Sequence, residues 1–100
     1  MIFETLSESM ARGELLLVSG GLCHWHLRRD GQLTIREILA YRPGAGGEML
    51  SILRSKGALF IFAKCPVDLP SNSWYAHRGF TLVGQETTPS GRVLNLWKLI

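Results

Sequence analysis

The chain has 100 residues, of which 46% are hydrophobic and 19% are charged, and its formal net charge is +3. This length and composition predict one soluble domain, spanning residues 1–100, with a single core. The longest apolar runs are too short to cross a bilayer, and residues 1–4 lack the basic region of a secretory signal, so we expect a cytoplasmic protein without a membrane partner. Cys23 and Cys65 show no spacing typical of a metal site or a disulfide framework, and neither is predicted.

The first half of the chain predicts a helix followed by an antiparallel meander. Apolar residues recur at helical spacing over residues 1–12, which predicts a short amphipathic helix. Apolar and polar side chains then alternate, and Asp30-Gly31 is among the strongest signals for a two-residue hairpin. We therefore predict three antiparallel strands, at residues 14–19, 22–29 and 32–41.

The second half predicts two helices and three strands. An apolar stripe predicts a helix over residues 48–55. The continuous apolar run at residues 58–65 is typical of a strand covered on both faces, and its connection through a helix predicts a parallel pair in the middle of the sheet. A helix over residues 70–78 and a hairpin of strands at residues 80–87 and 93–99 follow. The predicted fold class is α+β, a mixed sheet with helices on both sides.

Residues 41–47, Tyr-Arg-Pro-Gly-Ala-Gly-Gly, form a glycine-rich turn between a predicted strand and a predicted helix. Such a turn leaves backbone N–H groups uncovered, and together with the positive end of the following helix they make an anion site suited to a diphosphate. The alternative is an ordinary turn, which glycine clusters also form.

Residues 72–80, Asn-Ser-Trp-Tyr-Ala-His-Arg-Gly-Phe, supply the second motif. They resemble the Asn-x-x-Tyr-x-x-x-Gly-Phe signature on the last helix of GNAT-type N-acetyltransferases. The glycine-rich turn resembles the Arg/Gln-x-x-Gly-x-Gly/Ala pyrophosphate motif of the same superfamily. Both motifs lie in the expected order, and the resemblance covers residues 33–80, with a C-terminal hairpin similar in kind.

Two departures from the superfamily pattern are visible. When Arg42 is aligned with the arginine of the motif, Ala45 occupies the position of a glycine. When the alignment is shifted back by one residue, Gly44 and Gly46 occupy the glycine positions and Tyr41 occupies the position of the arginine. The front of the chain also lacks the usual first strand and one helix, so the resemblance is to a short variant.

The resemblance implies transfer of an acetyl group from acetyl-CoA, the co-substrate, to a primary amine that attacks the thioester directly, without a metal. The central parallel strands would separate around the pantetheine arm, and the glycine-rich turn would hold the diphosphate. Tyr75 would be the general acid for the leaving thiolate, unless it only packs beside Trp74. The residues implied in binding acetyl-CoA are Leu39, Ala40, Tyr41, Arg42, Gly44, Ala45, Gly46, Gly47, Asn72, Tyr75 and Arg78.

Glu37 is the candidate base for the attacking amine. It shares the alternation of the apolar residues in the third strand, so either it faces an open slot or a bulge re-aims it. The alternative role for Glu37 is a surface ion pair with Arg28 or Arg36. The base could then be His24 or His26, which titrate near neutral pH, or the amine could lose its proton through water.

Three functions remain open at this point. The first is an acetyltransferase of a small amine, and the second is a catalytically weak acyl-CoA-binding or regulatory protein of the same fold. The third, a nucleic-acid-modifying relative, is prompted only by the basic charge and the scattered arginines.

The apolar strands at residues 14–19 and 93–99 would need shielding, which predicts a homodimer; the alternative is a monomer covered by its first helix.

Overall fold

A computed structural model of the protein describes residues 13–100. The helix predicted over residues 1–12 lies outside the described residues. The other predicted helices and strands are present, close to their predicted bounds. In chain order they are β1 (Leu15–Val18), β2 (Gly21–Leu27), β3 (Gln32–Ala40), α1 (Ala45–Arg54), β4 (Phe60–Pro66), α2 (Ser71–His77), β5 (Thr81–Thr87) and β6 (Val93–Leu99).

The strands form one mixed sheet in the order β1-β2-β3-β4-β6-β5. β3 and β4 run parallel, and the other neighbours are antiparallel. The connection from β3 to β4 passes through α1, as parallel pairing requires. The predicted parallel pair in the middle of a mixed sheet is confirmed. β6, which we expected to need shielding, lies inside the sheet, because the C-terminal hairpin folds back and places β5 at the edge.

The turn between β2 and β3 is one residue longer than the predicted two-residue hairpin. The Arg28 N–H donates to the Gln32 carbonyl at 2.8 Å, which closes a loop of Arg29, Asp30 and Gly31. Gly31 has a φ of 93°, a left-handed conformation that glycine adopts without steric cost. The Asp30-Gly31 signal therefore marks the right turn, but in the three-residue form.

Both described helices lie on one face of the sheet. Leu53 of α1 and Leu99 of β6 line the same cavity, and Tyr75 of α2 stacks on Trp97, which points to the same face of β6. The expectation of helices on both sides includes the helix predicted over residues 1–12, which lies outside the described residues, so it stays a prediction. The core combines this face of the sheet with both helices: Cys23, Leu33, Ile35, Met49, Leu50, Leu53, Ile61, Ala63, Cys65, Tyr75, Phe80, Trp97 and Leu99.

The expectation that β4 is covered on both faces was wrong. Ile61, Ala63 and Cys65 are buried, whereas Phe62 is half-buried and Lys64 is exposed. Burial alternates because α1 and α2 cover only one face of the strand. A continuous apolar run does not reveal that difference.

Neither helix in the described part of the chain has the length and apolar character needed to cross a bilayer. Over the same residues, no group of three or more His, Cys, Asp or Glu side chains is placed to hold a metal ion.

Candidate functional site

The parallel strands β3 and β4 separate halfway along their length. Their pairing runs from Gln32 opposite Phe60 to Ile35 opposite Ala63, and stops there. β3 stays paired with β2 as far as Ala40, and β4 stays paired with β6 to its end. Each strand is therefore held from its outer side, and the backbone edges that face each other across the gap are free of ladder bonds.

The N-terminus of α1 lies beside this gap and has two unbonded amides. Gly44 precedes the helix with a φ of 86°. The Ala45 N–H donates to the Arg42 carbonyl, and the Glu48 N–H donates to the Gly44 carbonyl. The N–H groups of Gly46 and Gly47, between them, have no acceptor among the described residues. The first N–H groups of an α-helix have no acceptor within the helix, and the helix dipole favours an anion at this end.

Gly46 and Gly47 also set the distance between α1 and α2. A Cβ atom at Gly46 would lie 3.0 Å from Nε1 of Trp74, and a Cβ atom at Gly47 would lie 2.8 Å from Nη1 of Arg78. Contacts this short displace the neighbouring side chain. Gly46 is therefore constrained by its contact with the Trp74 indole as well as by access to its amide, whereas at Gly47 the flexible end of Arg78 can move aside.

A cavity of about 280 Å³ opens at the gap, between β3 and the N-termini of both helices. The indole N–H of Trp74 has no hydrogen-bond partner among residues 13–100. Because no fully buried side-chain nitrogen or oxygen there is left unpaired, this N–H is accessible to solvent. Sequence reasoning missed Trp74 as a site residue, and only its place beside Tyr75 in the motif could have indicated it. The cavity is lined by Ile38, Ala40, Gly46, Pro70, Ser71 and Trp74.

The side chain of Arg42 is engaged within the protein. Its Nη2 lies 2.7 Å from the Glu48 carboxylate, its Nε donates to the Ser19 carbonyl at 2.9 Å, and its Nη1 donates to the Pro43 carbonyl at 3.2 Å. Arg42 thus holds the glycine-rich turn in place and neutralises the carboxylate in the first turn of α1. The side chain of Tyr41 is 78% exposed, so only its backbone lies at the end of β3.

Tyr75 lies in an aromatic cluster under the gap. It stacks on Trp97 and meets Trp74 and Phe80 edge to face. Burial raises the pKa of its hydroxyl above the usual value, and the nearby thiols of Cys65 and Cys23 raise it further. The hydroxyl has no hydrogen-bond partner among the described residues. Because no fully buried side-chain oxygen there is left unpaired, the Tyr75 oxygen is accessible to solvent.

Asn72 joins three parts of the fold through its side-chain amide. Nδ2 donates to the carbonyls of Pro66 and Leu69, both at 2.8 Å. Oδ1 accepts from Nδ2 of Asn95 at 3.0 Å and from Nε1 of Trp97 at 2.9 Å. Both donor hydrogens and both acceptor positions are thus satisfied by the protein. The amide fixes the start of α2 against the end of β4 and against β6.

Glu37 lies at a β-bulge, which was one of the two expected explanations for its place in β3. Glu37 is opposite His24 and Ile35 is opposite Trp25, so Arg36 is the extra residue. Beyond the bulge, Ile38 points into the cavity and Glu37 is exposed on the other face of the sheet.

Two alternative partners considered for this region are engaged elsewhere. Arg28 pairs with Asp30, not with Glu37. His26 is in contact with the Glu14 carboxylate through Nδ1. His24, the other histidine named as a candidate base, is buried.

No protein-family model matches the sequence, and no curated protein sequence does either. Several solved structures are similar in fold, and three of them are described as acetyltransferases. A protein described as a GNAT-family acetyltransferase from Desulfovibrio desulfuricans is 16% identical, with a TM-score of 0.76 over 96% of this chain and 76% of its own. An acetyltransferase is 15% identical, with a TM-score of 0.68 over 87% of this chain and 69% of its own. The ribosomal-protein-S18-alanine N-acetyltransferase from Escherichia coli is 16% identical, with a TM-score of 0.65 over 92% and 74%. The chain therefore has the fold of the GNAT-type N-acetyltransferases.

Proposed function

We propose that the protein is an N-acetyltransferase that moves an acetyl group from acetyl-CoA to a primary amine by direct attack. The observation that carries this proposal is the separation of β3 and β4 beside the unbonded amides of Gly46 and Gly47. An extended arm fits between two free strand edges, and a diphosphate fits at a helix start with free N–H groups. The similar proteins of known structure are described as acetyltransferases, which supports the reaction class.

In this proposal the backbone of Leu39, Ala40 and Tyr41 hydrogen-bonds the pantetheine arm, since this edge of β3 has no partner strand. The amides of Gly46 and Gly47 bind the diphosphate. The positive φ of Gly44 and the buried side chain of Ala45 give the turn the shape that exposes those amides.

Side chains around the turn complete the binding site. The guanidinium of Arg78 lies beside Gly47 and adds positive charge there. Arg42 and Asn72 act by positioning, because their polar atoms are already bonded to the protein.

Acetyl-CoA supplies a thioester whose leaving group is a thiolate. Tyr75 is the hydrogen-bond donor toward it, because its raised pKa keeps the hydroxyl protonated at neutral pH. An ordinary thiol has a pKa of about 8.5, below that of Tyr75. In the free protein, Tyr75 is therefore better suited to donate a hydrogen bond to the thiolate than to give up its proton completely.

Glu37 is the candidate base for the incoming amine. Tyr75 belongs to the helical face of the sheet and Glu37 to the opposite face, in the part of β3 that is not paired with β4. In this proposal Tyr75 serves the leaving group and Glu37 serves the attacking amine from opposite faces of the sheet.

A thiol-release assay with acetyl-CoA and a panel of amines and peptides tests the proposal. We expect release that depends on one class of amine, and a loss of about 10²-fold or more in kcat for Tyr75→Phe, the range of general acid catalysis. The exposed Thr81→Val, which also removes a hydroxyl, is the control. Binding of acetyl-CoA without release for any amine would instead support an acyl-CoA-binding protein without turnover.

A further inference from the structure

A second cleft lies between α1 and α2, next to the proposed diphosphate site. On α1 its lining residues are Gly47, Leu50, Ser51 and Arg54, which recur at the spacing of one helix face. On the side of α2 they are His77, the last residue of the helix, and Arg78, which follows it. The cleft has a volume of about 440 Å³, within the range of small-molecule sites.

The cleft carries positive charge that nothing in the described chain compensates. No carboxylate is among its lining residues. Arg54 and Arg78 form no ion pair within residues 13–100. Arg78 lies over the Trp74 ring at 5.8 Å, a contact that leaves its charge in place. Two unpaired guanidinium groups in one cleft favour a ligand with two negative charges.

The positions of the two arginines relate the cleft to the start of α1. The Arg78 guanidinium is beside Gly47, in the first turn. Arg54 is seven residues further along, about 10 Å along the helix axis. Side chains on a helix lean toward its N-terminus, so Arg54 extends back toward Arg78. A second anionic group close to the diphosphate would lie between them.

We propose that this cleft binds a phosphomonoester on the ribose next to the diphosphate, so that the protein distinguishes CoA from dephospho-CoA. The inference rests on the proposed function, because the diphosphate places the ribose at the cleft. Guanidinium groups bind phosphate oxygens in a bidentate manner. The ring of His77 is fixed by its Nδ1, 2.7 Å from the Ser73 carbonyl. The carbonyl only accepts, so Nδ1 carries the proton and Nε2 remains for a further contact.

Isothermal titration with CoA and dephospho-CoA, which differ only in this phosphate, tests the inference. We expect the parent to bind CoA about tenfold more tightly or better, and Arg54→Gln to reduce that ratio by about tenfold, as expected for loss of a charge-assisted hydrogen bond. Arg29→Gln, in the exposed β2–β3 turn, removes the same charge elsewhere and should keep the ratio. The melting temperature of each variant checks that it is folded.

The outcomes separate this inference from the proposed function. Equal binding of both coenzymes by the parent overturns the inference and leaves the proposed function standing. The same conclusion follows if Arg54→Gln and Arg29→Gln reduce the preference for CoA over dephospho-CoA by the same factor. Adenosine 3′,5′-bisphosphate and AMP probe the cleft without the pantetheine arm. If the bisphosphate binds selectively and acetyl-CoA does not bind, the proposed function falls while the phosphate site stands. If neither coenzyme nor the bisphosphate binds, both are overturned.

Discussion

The ring of Tyr75 on α2 stacks on the indole of Trp97 on β6, with centroids 6.2 Å apart and planes inclined by 20°. Trp97 is itself held by Asn72, whose Oδ1 accepts from the indole N–H. The orientation of the proposed acid is therefore set by a residue on the far hairpin, through a side chain at the start of its own helix.

Replacing this indole should affect both stability and catalysis. Trp97→Phe removes buried volume and the hydrogen bond to Asn72, and should lower the free energy of unfolding by about 1–3 kcal/mol. It should also lower kcat with little change in acetyl-CoA affinity, because Tyr75 loses its stacking partner. Urea unfolding and steady-state kinetics measure the two effects. Trp25→Phe, on β2, is the matched control; an unchanged kcat in Trp97→Phe would show that the stack does not position Tyr75.

The packing of α1 against α2 gives a second prediction. Gly46→Ala places a methyl group 3.0–3.2 Å from the Trp74 indole, and overpacking of this kind costs about 1–3 kcal/mol. Movement of α2 should also reduce the thermal stabilisation by acetyl-CoA, since a ligand that binds only the native state raises Tm.

Gly84→Ala is the control for that experiment, because its methyl group meets Leu96 at an ordinary 3.8 Å. Both variants add the same atoms to a glycine without positive φ. Equal Tm values and equal ligand shifts for the two would contradict the proposed role of Gly46.

The proposed base predicts a change in pH dependence. Glu37→Gln keeps the size of the side chain and removes its charge at an exposed position, so folding should be preserved. We expect kcat/KM to fall by about 10²-fold, the lower range for general base catalysis, and to recover partly at high pH, where more of the amine is already deprotonated. A pH–rate profile of the same shape and height as the parent's would leave deprotonation to water.

Three buried acids predict a loss of stability in alkali. Burial raises the pKa of the Cys23 thiol from 9.0 to about 12 and raises that of Cys65 from 9.0, and the pKa of Tyr75 is raised from 10.0. The folded protein therefore keeps protons that the unfolded chain releases, so the stability is fully present below about pH 9 and falls as pH rises above it.

Urea midpoints at pH 8 and pH 10.5 measure this effect. The midpoint should be lower at the higher pH. Cys23→Ala, which lacks one of the titrating groups, should be less stable at pH 8 but show a smaller decrease. A midpoint independent of pH in the parent would contradict the assignment of these groups to the core.

Much of the fold could be predicted because local signals carried it. Alternation marked β2 and β3, and the helical stripe around Met49 marked α1. The face of β4 that stays open could not be predicted, since Phe62 and Ala63 look alike in a hydrophobic run although only Ala63 lies under the helices. The homodimer stays a prediction.

The candidate site was predictable in its residue types but not in its bonding. The motifs identified Arg42 and Asn72, yet some of their partners come from distant parts of the chain: Ser19 for Arg42, and Asn95 and Trp97 for Asn72. Trp74 was missed for the same reason. Its importance depends on the absence of a side chain at Gly46, which lies on another helix.

The short ladder between β3 and β4 has a mechanical consequence. The sheet is two three-stranded leaves, β1-β2-β3 and β4-β6-β5, joined only from Gln32 to Ile35. Each leaf has its own complete ladders, so a change in the separation of β3 and β4 beyond Ile35 breaks no bond within a leaf. The ladder from Gln32 to Ile35 and the two helices resist that motion, since α1 packs on β1, β2 and β3, α2 packs on β4 and β5, and the helices meet where Gly46 faces Trp74.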